Sequence, residues 1–189
     1  NDDIYNLIEA AGLDEDQEKR LERELDRQYQ LLTRDERLET IAKDIVQHFL
    51  GRGFQGKAMV ISIDKATALR MHDKVRVHWK AEEKRVEQEL AKLTTYGAKA
   101  GYSDRIRELK ARLDVIRTTD MAVIVSSEQN EIERMKKLNL DIAPHRKRMN
   151  DESLDEKFKD SNDPLRLVFV CAMWLTGFDA PSCSTVYLD

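Results

Sequence analysis

The run Leu167-Val-Phe-Val-Cys-Ala172 is apolar at every position, which leaves a chain few ways to fold. A helix with one wet face would interrupt it with polar residues every third or fourth place, and a strand with one wet face would alternate. A strand buried on both faces does neither, and that is the habit of parallel sheets covered by helices on each side. Three further β-prone runs, Ala58 to Ile63, Met121 to Val125 and Thr185 to Leu188, share this character and are separated by helix-like sequence. The expected fold is therefore α/β, a three-layer domain around a parallel sheet. In such sheets ligands gather beyond the carboxyl ends of the strands. Those ends carry Asp64-Lys65, Ser126-Ser127 and the loop from Met173 to Asp179, so three polar loops are expected along one edge.

The intervening sequence predicts helices. From about Asp14 to Leu32 a narrow apolar stripe recurs at Leu21, Leu25, Tyr29 and Leu32. A second helix is expected after Thr33, read as its N-cap with Glu36 as capping-box partner. Leu38, Ile41, Ala42, Ile45, Val46 and Phe49 form its broad apolar face, and Gly51 ends it. Asp64 is a good N-cap for a helix over Ala66 to His78, with Ala68, Leu69, Met71 or His72, and Val75 turned inward. Glu82 to Arg117 has sparse apolar residues at spacings of three and four around a Tyr96-to-Gly101 break, predicting a helical hairpin. Ser126 and Ser127 are read either as caps of a helix beginning near Glu128 or as hydroxyls facing a phosphate.

Composition narrows the function classes. Charged residues make up 36% of the 189 residues, against roughly 25% in ordinary globular chains, so long solvated helices are expected. The net charge of -4 gives no global basic field, and any nucleic-acid contact must come from a local patch. His145-Arg-Lys-Arg148 is too short a basic cluster to diagnose one. No apolar run approaches the roughly 18 residues of a membrane span, and Cys171 and Cys183 read as reduced thiols; a cytoplasmic location is expected. Asn1 at the start and Leu188-Asp189 at the end read as cut ends of a longer protein.

Two motifs invite over-reading. Gly51-Arg-Gly-Phe-Gln-Gly56-Lys57-Ala58 satisfies the first part of a phosphate-binding loop, but such a loop follows a strand, precedes a helix and has Ser or Thr after its Lys. Here a helix precedes it, a strand follows, and Ala58 has no hydroxyl; it is a decoy. His72 and His78 lie on different sides of a helix and no paired-cysteine spacing occurs, so no zinc site is expected.

Gly56-Lys-Ala-Met-Val-Ile-Ser, Asp120-Met-Ala-Val-Ile-Val-Ser-Ser, Pro144-His-Arg-Lys-Arg-Met, Ile41-Ala-Lys-Asp-Ile-Val-Gln-His-Phe and above all the stretch from Leu167 through Leu175-Thr-Gly-Phe-Asp-Ala-Pro181 to Asp189 resemble the restriction (R) subunit of type I restriction-modification enzymes. The resemblance spans most of Arg34 to Asp189. It implies a superfamily 2 motor in which two RecA-like domains hold ATP between them and pump duplex DNA. On that reading residues 1–50 are a helical linker from the first RecA-like domain, and 51–189 are the second, truncated, with a helical hairpin insertion at about 80–118. Asp64 and Lys65 would fall in motif IV, which touches the DNA backbone, and Thr176 to Asp179 in motif V. The resemblance gives Lys65, Ser126, Ser127 and Thr176 as DNA-binding residues and Gly177 and Asp179 as nucleotide-coupling residues. The family usually has Ser-Arg where this chain has Asp64-Lys65.

The family's nucleotide cradle, its Asp-Glu-x-His box, its nuclease motif and its arginine-bearing motif are absent here, so the resemblance implies no catalytic residue in this chain. ATP and Mg²⁺ belong to the full-length enzyme and none is expected on this chain alone. The implied partners are double-stranded DNA, the methylation and specificity subunits, and the first RecA-like and nuclease domains of the same polypeptide, with no membrane. A different reading makes the chain an α/β protein-interaction module that uses the 82–117 hairpin to bind a partner subunit.

Overall fold

Four strands, β1 (Lys57–Ile61), β2 (Asp120–Val125), β3 (Leu165–Cys171) and β4 (Cys183–Leu188), form one sheet in the order β2-β3-β1-β4. Every pairing is parallel. The computed structural model describes residues 14–53, 56–96, 102–171, 173–174 and 178–188. All four expected runs are strands, each entered one or two residues earlier than the sequence suggested. Phe169 of β3 lies opposite Val60 of β1 on one side and Val123 of β2 on the other, which fixes the register at the middle of the sheet.

Period-two alternation divides these apolar strands between two cores. Ala58, Val60, Val123, Val125, Leu167 and Phe169 face one, whereas Met59, Ala122, Ile124, Val168 and Val170 face the other. Over the first core lie α2 (Asp35–Gly51), α3 (Lys65–Tyr96) and α4 (Ser103–Thr118). Over the second lies α7 (Leu154–Lys159), whose Leu154 and Phe158 are buried. Two short helices, α5 (Glu131–Lys137) and α6 (Ala143–Asp151), join β2 to α7. This is the three-layer, RecA-like α/β architecture that the unalternating strands predicted. The broad apolar face of α2 finds its partner here, since Leu38, Ala42, Ile45, Val46 and Phe49 are all buried in the first core.

Residues 1–37 and 38–189 make two separate units. In the first, α1 (Glu15–Leu32) opens with a capping box: Asp14 Oδ1 accepts from the Gln17 amide at 2.9 Å, and the Gln17 side chain accepts from the Asp14 amide at 3.1 Å. Its stripe of Leu21, Leu25, Tyr29 and Leu32 is exposed. Thr33 closes this helix, its hydroxyl donating back to the Tyr29 carbonyl at 2.8 Å, and the next helix begins at Asp35, so that Arg34 and not the expected Thr33 precedes its first residue.

The hairpin is longer than expected at its base. The sequence suggested a helix ending near His78 and another starting at Glu82, but α3 runs unbroken for 32 residues, about 48 Å at 1.5 Å per residue. Trp79 is buried and donates its indole N–H to the Ile116 carbonyl at 3.0 Å, so helix and hairpin are welded at that level. Val86, Leu109, Leu113 and Ile116 fill the seam. Across it Arg112 pairs with Glu82 at 2.8 Å, Arg105 with Glu89 at 2.7 Å, and Arg117 with Glu83 at 3.1 Å. The expected break at Tyr96 to Gly101 lies mostly outside the described residues. Among the described residues no helix is long and apolar enough to cross a membrane.

Candidate functional site at the strand-end edge

Because every strand runs the same way, the segments after Ile61, Val125 and Cys171 emerge at one edge of the sheet. Beyond β1 the Ser62 amide still donates to Val170 at 2.9 Å, and the chain then turns directly into α3. Asp64 makes that turn: its Oδ1 accepts from the Thr67 amide at 2.6 Å, and its carbonyl accepts from Ala68 at 3.0 Å. The carboxylate that departs from the family pattern is thus a helix cap. The hydroxyls of Ser62 and Thr67 are buried beside it with no hydrogen-bond partner among the described residues.

Lys65 crosses the edge. Its Nζ lies 3.1 Å from Glu128 Oε2, with only 17% of the lysine side chain exposed, so the ends of β1 and β2 are bridged above the intervening β3. Arg134 holds the other oxygen of Glu128. Lys65 is accordingly neither a solvated surface lysine nor an unopposed cation. An incoming phosphate would compete with Glu128 for it.

Ser126 and Ser127 are exposed at the end of β2. They do not cap the next helix, because α5 starts at Glu131 after Asn130, which sits in the left-handed region at φ 57° and provides no side-chain cap. Their hydroxyls remain at the edge, while the Ser126 carbonyl accepts from Arg146 at 2.9 Å. Arg146 also donates to Val125 and grips buried Glu131 at 2.6 Å. Arg148 is tied to Asp120 and Glu152. Two of the charges in the basic cluster are therefore internal braces of β2.

After β3 the chain places Trp174 at φ 63°, a backbone that costs a non-glycine residue about 1–3 kcal/mol. Its ring stacks on Phe178 with centroids 4.2 Å apart, and both adjoin Phe158 of the second core. This stack clamps the two ends of the loop that contains Thr176 and Gly177, which lie outside the described residues. Asp179 follows the clamp, exposed, with no hydrogen bond or ion pair among the described residues. At the end of β3, burial, with Asp64 nearby, pushes the Cys171 thiol up. Both cysteines are free.

The decoy at Gly51 to Ala58 is resolved by Lys57, which is the first residue of β1. It is 2% exposed and sends its Nζ to the Lys157 carbonyl at 2.6 Å.

A family profile described as type I restriction enzyme subunit R domain 3 matches residues 55–189, the part of the chain that contains the sheet, the hairpin and the edge. The chain belongs to the type I restriction enzyme R-subunit family. It is 29% identical over 164 residues to the type I restriction enzyme HindI endonuclease subunit of Haemophilus influenzae, covering 84% of this chain and 12% of that protein. It is 30% identical over 160 residues to the putative type I restriction enzyme MjaIXP endonuclease subunit of Methanocaldococcus jannaschii, covering 83% of this chain and 11% of that protein. No solved structure matches. This R-subunit chain thus spans about an eighth of the length of those relatives.

Within the R-subunit chain, the structure brings Lys65 and the loop after Ser126-Ser127 into contact and puts Asp179 in the β3–β4 connection. Sequence reasoning missed Glu128, Arg146 and the Trp174–Phe178 clamp. Only the aromatic pair flanking a glycine had a local signal.

Proposed function

We propose that this chain is the second RecA-like domain of the ATP-driven duplex-DNA translocase of a type I restriction enzyme, contributing motifs IV and V to a site completed by other parts of the same subunit. The observation that carries this reading is the Lys65–Glu128 bridge at 3.1 Å. It joins two strand ends of a parallel sheet at the edge where phosphate-binding groups of such folds collect, with the Asp179 loop at the same edge. In this reading Lys65, Ser126, Ser127 and Thr176 contact the DNA backbone, and Gly177 and Asp179 couple that contact to ATP and Mg²⁺ held against the first RecA-like domain. The chain has none of the groups that phosphoryl transfer needs together, so it hydrolyses no ATP by itself. Its partners are duplex DNA and the methylation and specificity subunits. The hairpin's Arg–Glu pairs face inward across its own seam, which suits a rigid arm better than an open charged docking face.

The test uses the full-length subunit. Lys65→Ala weakens DNA binding and lowers the salt slope by about one phosphate contact. Glu128→Gln removes the competitor for Lys65 and tightens binding. Asp179→Ala leaves ATP turnover but slows translocation along duplex DNA. Unchanged DNA affinity in both the Lys65 and Glu128 variants, with unchanged translocation in the Asp179 variant, overturns the reading.

A further inference from the structure

On the first core, away from the strand-end edge, α3 and α6 bring together His72, Asp73 and His145. His72 is 3% exposed and packs edge-on against Phe169 with ring centroids 5.4 Å apart. Its Nδ1 lies 3.0 Å from Asp73 Oδ1, and its ring meets that of His145 edge to face at 4.7 Å. One ligand-capable atom from each of the three residues lies within 4.8 Å of the other two. We propose that His72, Asp73 and His145 form a binding site for one divalent transition-metal ion of the zinc class.

Two imidazoles and one carboxylate are the donor set that such ions favour, whereas Mg²⁺ and Ca²⁺ prefer oxygen alone. Bonds of about 2.0–2.1 Å around a tetrahedral ion put neighbouring donors about 3.4 Å apart, so separations that reach up to 4.8 Å contract by at most about 1.4 Å. Asp73, whose side chain is 61% exposed, has room to move by rotamer.

Access from solvent runs through Asp73, the exposed member of the cluster; the neighbouring cavity of about 490 Å³ touches His72 alone of the three and is lined by Arg76, Lys80, Arg117 and Arg148 as well as Glu83 and Asp120.

An ion here would tie α6 to α3. Because Arg146 of α6 holds the Val125 and Ser126 carbonyls, the tie would brace the end of β2 from behind.

The experiment titrates Zn²⁺ and Co²⁺ into the chelator-stripped chain, following calorimetric heat, the visible d–d band of four-coordinate Co²⁺ and the melting midpoint. Wild type is expected to bind one ion, show the band and melt higher with Zn²⁺. His145→Ala loses the band. Asp73→Asn, a swap of similar shape at an exposed side chain, keeps its metal-free midpoint but binds at least ~10-fold more weakly and loses the zinc-induced rise. His78→Ala, which alters a histidine bonded to Glu39 at 2.8 Å elsewhere on α3, behaves as wild type. A wild type that takes up no ion, or an Asp73→Asn variant that binds as tightly as wild type, overturns the proposal.

Discussion

Along the base of α3, Ala66, Ala68, Leu69, Met71, His72 and Val75 are all buried, whereas beyond Trp79 Val86 is the one fully buried apolar residue among those described. The base lies over β2 and β3; the distal part lies along α4 and is joined to it by arginine–glutamate pairs. One helix therefore has two sources of order. Apolar burial at the base is indifferent to salt and carries most of the stability. Exposed ion pairs in the arm are screened and individually weak, so they set the alignment of two helices more than they hold the fold together.

This contrast can be broken at graded points. Phe169→Ala, a cavity where β3 meets α3, is expected to lower stability by about 3–5 kcal/mol, read from a denaturant midpoint that shifts for base and arm together. Trp79→Phe removes the indole bond to Ile116 at the junction and should lower stability by about 1–1.5 kcal/mol, with hydrogen exchange quickening in α4 before the sheet. If the sheet exchanges as early as α4, the junction is not the boundary between the two regimes.

A smaller effect comes from pH. Glu82 is held below its ordinary 4.5 by its hydrogen bond from Arg85 and the charge of Arg112. As pH falls, the unfolded chain takes up that proton before the folded one does, so the stabilisation is complete above about pH 4.5 and drains away below it. Glu82→Gln should flatten this part of the stability profile by lowering stability on the neutral side, where the pairing is fully present, and leaving the acid side nearly unchanged. Smallest of all, Arg117→Ala removes two exposed pairs and should leave the melting midpoint unchanged at physiological salt. A loss as large as that of Trp79→Phe would mean that the arm's charges carry weight the comparison denies them.

The sheet was legible because its residues carry their own signal: a run such as Leu167 to Cys171 has no polar side to show. Asp64 was legible for the same reason, a carboxylate immediately before a helix. Less visible was the length of α3. Past His78 its apolar stripe thins, since the opposite face is covered by α4, and the sequence reads as a break where the backbone continues. Of the two readings of Ser126 and Ser127, the cap rested on the acidic helical pattern that follows them, but a left-handed Asn130 delays the helix to Glu131. Thr33 was read as the cap opening the second helix, whereas its hydroxyl bonds back to the first. The partners of Lys65 and of His72 lay in remote segments that no local periodicity reaches, and the loop through Thr176 and Gly177 lies outside the described residues.

The unbroken axis of α3 has a mechanical meaning. Its first residue, Lys65, stands at the strand-end edge, and its last, Tyr96, at the tip of the arm. Over ~48 Å of helix, a tilt of only about 5° about the buried base carries the tip through about 4 Å. With no joint between them, a load applied at the tip is felt as torque at Lys65, and a strain at the edge is displayed, magnified, at the tip.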